Sequence, residues 1–272
     1  MFYPSIPINE INFIKNNFQT QIKALKQFYP IIKNALNLGL KPSSIKFGGG
    51  TALSMYYFQH RLSFDIDLFV NDAQYLGFFS PKLWIDGCSH FDSARYIDQH
   101  NHIGVTNKDN IKIDILLDYA SNEGYIDDSK KNFSFDIHVE SLENIIAKKI
   151  TFRKTDNKTR DIFDISVALY HNDGLFDQLL NDQKITKQDL LTLQNSLQEL
   201  NKEKYNAQIK IVKPTQEYSH IALNAYEILT EKIDQIKTTT HSNSYDENTD
   251  NLDNTDNLDN SNEYTPTPKR RR

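Results

Sequence analysis

Two carboxylates set into an otherwise apolar run are the residues of this chain best suited to chemistry. Phe64 to Val70 reads Phe-Asp-Ile-Asp-Leu-Phe-Val, rich in β-branched and aromatic residues, and predicts a strand. Strand side chains alternate, so Asp65 and Asp67 leave the same face. Neighbouring carboxylates repel one another unless a cation sits between them. Mg²⁺ suits that position, because it takes one or two carboxylates together with substrate phosphates. Upstream, Gly48-Gly49-Gly50-Thr51 opens a helix-favouring run. Glycine N–H groups can approach phosphate oxygens closely, and a helix N-terminus beyond them favours negative charge. Alone, either signal would read as a turn or a solvated strand edge; together, with a helix pattern between them, they predict a site.

Further along, Asn110 to Leu117 alternates cleanly. Ile111, Ile113 and Ile115 share one face, with Lys112 and Asp114 on the other. Asp114 stands where a third metal ligand would be needed, and Asp118 points the same way at the strand end. Lys148, Lys149, Arg153, Lys154, Lys158 and Arg160 then make a basic cluster opposed only by Asp156. A lysine ammonium suits a triphosphate, and arginine can grip phosphate in bidentate fashion. Arg160 and Asp164 read equally well as a surface i,i+4 pair. His90, His100 and His102 have no matching fourth ligand and read as surface residues.

These elements must be held by others. Ile8 to Leu38 is helical in pattern, with Pro30 starting or kinking a second helix. Ser43 to Phe47 predicts a strand, Thr51 to Phe58 a helix and Asn71 to Gly87 loop with short helix. Ala94 to Ile97, His102 to Val105 and Phe133 to Val139 predict further β pieces. From Ser141, a reasonable N-cap with Glu143 in the first turn, the pattern turns helical. Leu142, Ile145, Ile146, Ile150 and Phe152 give the apolar side. Gly174 to Leu200 and Thr215 to Ile236 continue as helices across a Lys/Asn-rich gap. The fold class is therefore α+β: a mixed β-sheet with flanking helices over residues 1–139, then a helical half over 140–237. Residues 238–272 predict a disordered low-complexity tail, with Asn248 to Asp253 repeated at Asn254 to Asp259. Lys269 to Arg272 close it.

The string Gly49-Gly50-Thr51-Ala52-Leu53-Ser54, Tyr57, His60-Arg61, Ser63, Asp65-Ile66-Asp67-Leu68-Phe69 resembles the AbiEii/AbiGii nucleotidyltransferase toxins of type IV toxin–antitoxin systems. These are similar in turn to polymerase-β-type nucleotidyltransferases. Ala147, Lys149, Arg153, Arg160, Asp161 and Asp164 resemble a second motif of that family. The resemblance implies that Asp114 completes an acidic triad with Asp65 and Asp67. It implies that Lys149 and Asp161 help form the active site, and that Gly49, Gly50, Thr51, Ser54, Arg61, Ser63 and Arg153 bind nucleotide. It further implies two Mg²⁺ ions (Mn²⁺ as a substitute), an NTP donor, tRNA 3′ ends or other RNA as acceptor, and a separately encoded antitoxin.

Charge neither demands nor forbids RNA. The chain carries −5 overall, and the last 35 residues hold seven acidic and four basic side chains. The body is thus near neutral, so RNA would have to meet local basic patches. The single cysteine, Cys88, excludes an internal disulfide. The first residues show no basic or apolar leader pattern, and no apolar run approaches the roughly 20 residues of a membrane span. A reducing, cytoplasmic setting is expected. Two other functions fit the same residues: a small-molecule nucleotidylyltransferase of the antibiotic-modifying kind, and a non-catalytic nucleotide-binding module of the same fold.

Overall fold

The computed structural model describes residues 8–119, 123–153 and 158–242, with side chains described from residue 11 to 236 within those ranges. Lys154, Asp156 and residues 243–272, including Lys269 to Arg272, lie outside them. Residues 1–234 form one compact unit and 235–272 a second.

A seven-stranded mixed sheet carries the first unit, in the order β3-β4-β5-β2-β1-β7-β6. The strands are β1 (Ile45–Gly48), β2 (Ile66–Val70), β3 (Phe91–Gln99), β4 (His102–Asn107), β5 (Lys112–Leu117), β6 (Gly124–Asp127) and β7 (Ile137–Glu140). Every predicted strand is present with shifted bounds, and β6 was not expected. Two registers matter for the site. Antiparallel β1 and β2 place Gly48 opposite Asp67. Parallel β2 and β5 place Asp67 opposite Asp114. The predicted alternation holds: Ile66, Leu68, Val70, Ile113 and Ile115 are buried in the core. Asp67 and Asp114 face the other way, into a cleft.

Helices α1 (Ile8–Asn17) and α2 (Gln19–Asn37) cover the apolar side. The chain breaks at Phe18, and Pro30 sits inside α2, where a break had been expected. Phe28 of α2 packs against Phe79, Trp84 and Phe91. The glycine-led helix α3 (Gly49–Leu53) starts two residues earlier than expected, then widens into a π turn over Ser54–Phe58 that ends at Gln59 in the left-handed region (φ 50°). The run from Asn71 holds α4 (Ala73–Leu76) and short 3₁₀ turns.

The helical half comprises α5 (Leu142–Arg153), α6 (Thr159–His171), α7 (Leu175–Asn181), α8 (Lys187–Leu200), α9 (Lys202–Val212) and α10 (Ser219–Ser242). Ser141 does cap α5, its Oγ accepting from Asn144 N at 3.3 Å. Helix α9 occupies the stretch expected as a gap. Asn201 starts it by accepting from Lys204 N at 2.9 Å, and Tyr205 and Ile209 anchor it in the core. Helix α10 also runs to Ser242, four residues past the expected start of the tail at Thr238. The sheet and helical halves join through the β1–β2 connection. Arg61 bridges to Pro214, and Thr215 N donates to His60 O at 2.8 Å.

Candidate active site

A cleft of about 810 Å³ opens over the polar side of the sheet. Gly49, Gly50, Arg61, Ser63, Asp65, Asp67, Asp114, Lys149, Arg153 and Asp161 all line it, so most of the expected site converges. Thr51 and Ser54 do not. Both are fully buried. Thr51 Oγ1 donates to Asp65 O and bonds Ser63 Oγ at 2.9 Å, so it fixes the approach to β2 and holds no phosphate. Ser54 lies in the π turn, its Oγ without a partner.

Close approach explains Gly49. Its φ is +66°, and a Cβ there would lie 2.0 Å from Asp67 Oδ2. Only glycine accepts both conditions cheaply. Asp67 itself makes no hydrogen bond or ion pair among the described residues. Burial, reinforced by the charges of Asp114 and Asp65 and opposed by Lys149, raises its pKa to about 6. Asp65 precedes the strand and is exposed. An unpaired, repelled carboxylate beside an exposed one is a donor set that fits a hard divalent cation. Asp114 is already engaged: His102 Nε2 lies 2.6 Å and Lys112 Nζ 2.9 Å from its Oδ1. Among the described residues no three His, Cys, Asp or Glu side chains are spaced to hold a metal ion. Both partners meet Oδ1, so Oδ2 is the Asp114 oxygen that could join Asp65 and Asp67 around a cation.

His102, read from the sequence as a surface residue, is half-buried and reaches Asp114 through the β4–β5 pairing, a register that the sequence does not display.

The helical side supplies cations under tight control. Asp164 is fully buried at the centre of a charged network, not on the surface beside Arg160. Arg61 donates to both of its oxygens, Nε at 2.6 Å and an Nη at 2.8 Å. His60 Nε2 lies 2.7 Å from Oδ1 and Lys149 Nζ 2.8 Å from Oδ2. Lys149 also reaches Asp161 at 2.6 Å. Burial opposes ionisation of Asp164, but Arg61 and Lys149 outweigh it and hold the carboxyl well below its usual range. Burial lowers His60, which donates its Nε2 proton as a neutral ring. For Lys149, burial works against the charge while Asp161 and Asp164 more than offset it and raise the pKa. Lys149 is therefore pinned, where a mobile phosphate ligand had been expected. Lys148, its neighbour, lines the same cleft with other partners: Glu140 at 2.5 Å, Asp118 at 3.1 Å, and the Phe69 ring at 3.0 Å. Arg153 and the exposed Arg160 face the cleft.

The family model for the nucleotidyl transferase AbiEii toxin of type IV toxin–antitoxin systems matches residues 34–218, about two thirds of the chain. The chain belongs to the AbiEii family. It is accordingly an AbiEii-type nucleotidyltransferase toxin, and both site-bearing regions fall within the matched residues. Among solved structures it is similar to a putative nucleotidyltransferase from H. pylori, at 15% identity and TM-score 0.42, covering 87% of this chain and 98% of that one. JHP933 from Helicobacter pylori aligns at 17% identity and TM-score 0.44, covering 88% and 98%. MenT4, a nucleotidyltransferase toxin from Mycobacterium tuberculosis H37Rv, aligns at 10% and 0.41, covering 84% and 89%. No curated protein matches. In this AbiEii-type chain no described helix is long and apolar enough to cross a membrane.

Proposed function

We propose that this toxin moves a nucleotide from an NTP to a hydroxyl of RNA, breaking the bond between the α- and β-phosphates and releasing pyrophosphate, with tRNA 3′ ends as the leading acceptor. The observation that carries the reading is the Asp67–Asp114 strand register beside Gly49, in a cleft whose opposite side holds Arg153, Arg160 and the Lys149 network. Asp65 and Asp67, joined by Asp114, would hold Mg²⁺ or Mn²⁺. When bound, the metal polarises the α-phosphate and eases loss of the acceptor proton.

The remaining work falls to the chain. Gly49 and Gly50 let the triphosphate approach the backbone. Arg153 and Arg160 neutralise its outer oxygens. Lys149 contributes a fixed positive charge set by Asp161 and Asp164. Asp114, hydrogen-bonded to His102, receives the acceptor proton. A separately encoded antitoxin would restrain the protein, in a cytoplasmic setting.

Incubation with each labelled NTP, Mg²⁺ and total RNA tests this. Label should enter RNA, and Asp67→Ala should abolish transfer. Absence of transfer to any RNA, with Asp67→Ala matching the wild type, would end the reading. Transfer to an aminoglycoside instead would favour the small-molecule alternative.

A further inference from the structure

The cleft has an aromatic side to which the proposed transfer has so far given no part. Tyr119 is 70% and Phe152 72% exposed, yet both line the cavity that holds Asp67. Phe152 was expected on the apolar side of α5. It cannot lie there, because two residues beyond buried Ile150 the helix has turned about 200°. It falls instead on the stripe Ile145, Lys148, Lys149, Phe152, which faces the cleft.

One contact ties together the two segments that carry the rings. Lys148 Nζ reaches Asp118 Oδ2 at 3.1 Å. Tyr119 follows Asp118 directly, and Phe152 stands one helical turn, about 5.4 Å, beyond Lys148. The amides of Gln99 and Asn101, both exposed, line the same cleft. Leu117 N donates to Asn101 O at 3.2 Å, which puts Asn101 beside the strand end that leads to Tyr119. Single exposed apolar side chains are ordinary on a protein surface, but two exposed aromatics lining one concavity with two exposed amides mark a binding site.

We infer that Tyr119 and Phe152 form a stacking platform for a nucleobase, with Gln99 and Asn101 placed to meet its edge. This rests on the reading that the cleft takes a nucleotide. Flat π faces stack on any base, and such stacking is lost on truncation to alanine. The base could belong to the incoming triphosphate or to the 3′ end of the RNA.

2-Aminopurine, whose fluorescence is quenched by stacking, distinguishes the sources. The full chain is titrated first with 2-aminopurine riboside triphosphate, then with RNA carrying 2-aminopurine at its 3′ end. Quenching in either arm is expected, and the arm identifies the source. Tyr119→Ala, Phe152→Ala and Phe152→Leu should lose it, while Tyr119→Phe should keep it. KM for the substrate so identified should rise on the order of tenfold in the alanine variants, with kcat little changed. Both residues are exposed, so unfolding temperatures should not move. No quenching in either arm, or quenching that survives both alanine substitutions, overturns the platform. Wild-type transfer to RNA with such a result would leave the transferase reading intact. Quenching without any transfer would remove the RNA reading and leave the platform standing.

Discussion

At the scale of single residues, Asp67 is the most informative group. Its raised pKa reflects burial first and then the charges of Asp114 and Asp65, which Lys149 and Lys148 offset only in part, so ionising it costs folding free energy in the metal-free protein. A carboxyl raised from its ordinary value to about 6 leaves the fold less stable as pH rises through that range. Asp67→Asn should therefore raise metal-free stability at pH 8 by about 1–2 kcal/mol, read by thermal unfolding, while abolishing transfer. The same titration predicts that wild-type activity climbs between about pH 5 and 7, because the carboxylate form is the one that binds a cation. A flat profile across that window, with Asp67→Asn no more stable than wild type, would contradict the assignment. Gly49→Ala should fail differently. Its Cβ would strike Asp67, so activity should fall at least tenfold and stability by about 1 kcal/mol or more.

At the scale of elements, β2, β5 and α5 set the cleft and α6 governs its cations. Asp164 of α6 neutralises Arg61 from the β1–β2 connection and Lys149 from α5. Removing one partner of a buried ion pair strands the others, at roughly 3–5 kcal/mol. Asp164→Ala should cost that much in chemical denaturation. Asp161→Asn leaves Lys149 paired with Asp164 and should cost clearly less. Much of this level was legible in the sequence, because period-two alternation is local: Asp65-Ile66-Asp67 and Lys112-Ile113-Asp114 announced their strands and their faces. The glycine run announced a close approach, expected of phosphate, where the structure sets the Asp67 side chain against Gly49. What stayed hidden depends on distant partners. Arg61 and Asp164 are 103 residues apart, and no spacing rule links them. The pair Arg160/Asp164 looked like a surface couple only because helix spacing is visible when burial is not. His102 and helix α9 were passed over for the same reason, since their roles come from neighbours across the sheet and across the core.

At the scale of the molecule, the sheet and helical halves belong to one unit through residue 234. His60, Arg61 and Thr215 stitch them together. Circular dichroism and tryptophan fluorescence should therefore report one coincident unfolding transition for this unit, Trp84 being its only tryptophan. Two separated transitions would show that the halves fold independently. The dependence of Arg61 on Asp164 also orders events during synthesis. As the chain leaves the ribosome from its N-terminus, the glycine turn and the acidic strands emerge first, and Arg61 waits without its counter-charge until α6 follows. A chain cut short before α6 would thus lack Asp164 and leave Arg61 and Lys149 without their buried counter-charge, so the charged network of the cleft assembles only once α6 (Thr159–His171) has emerged.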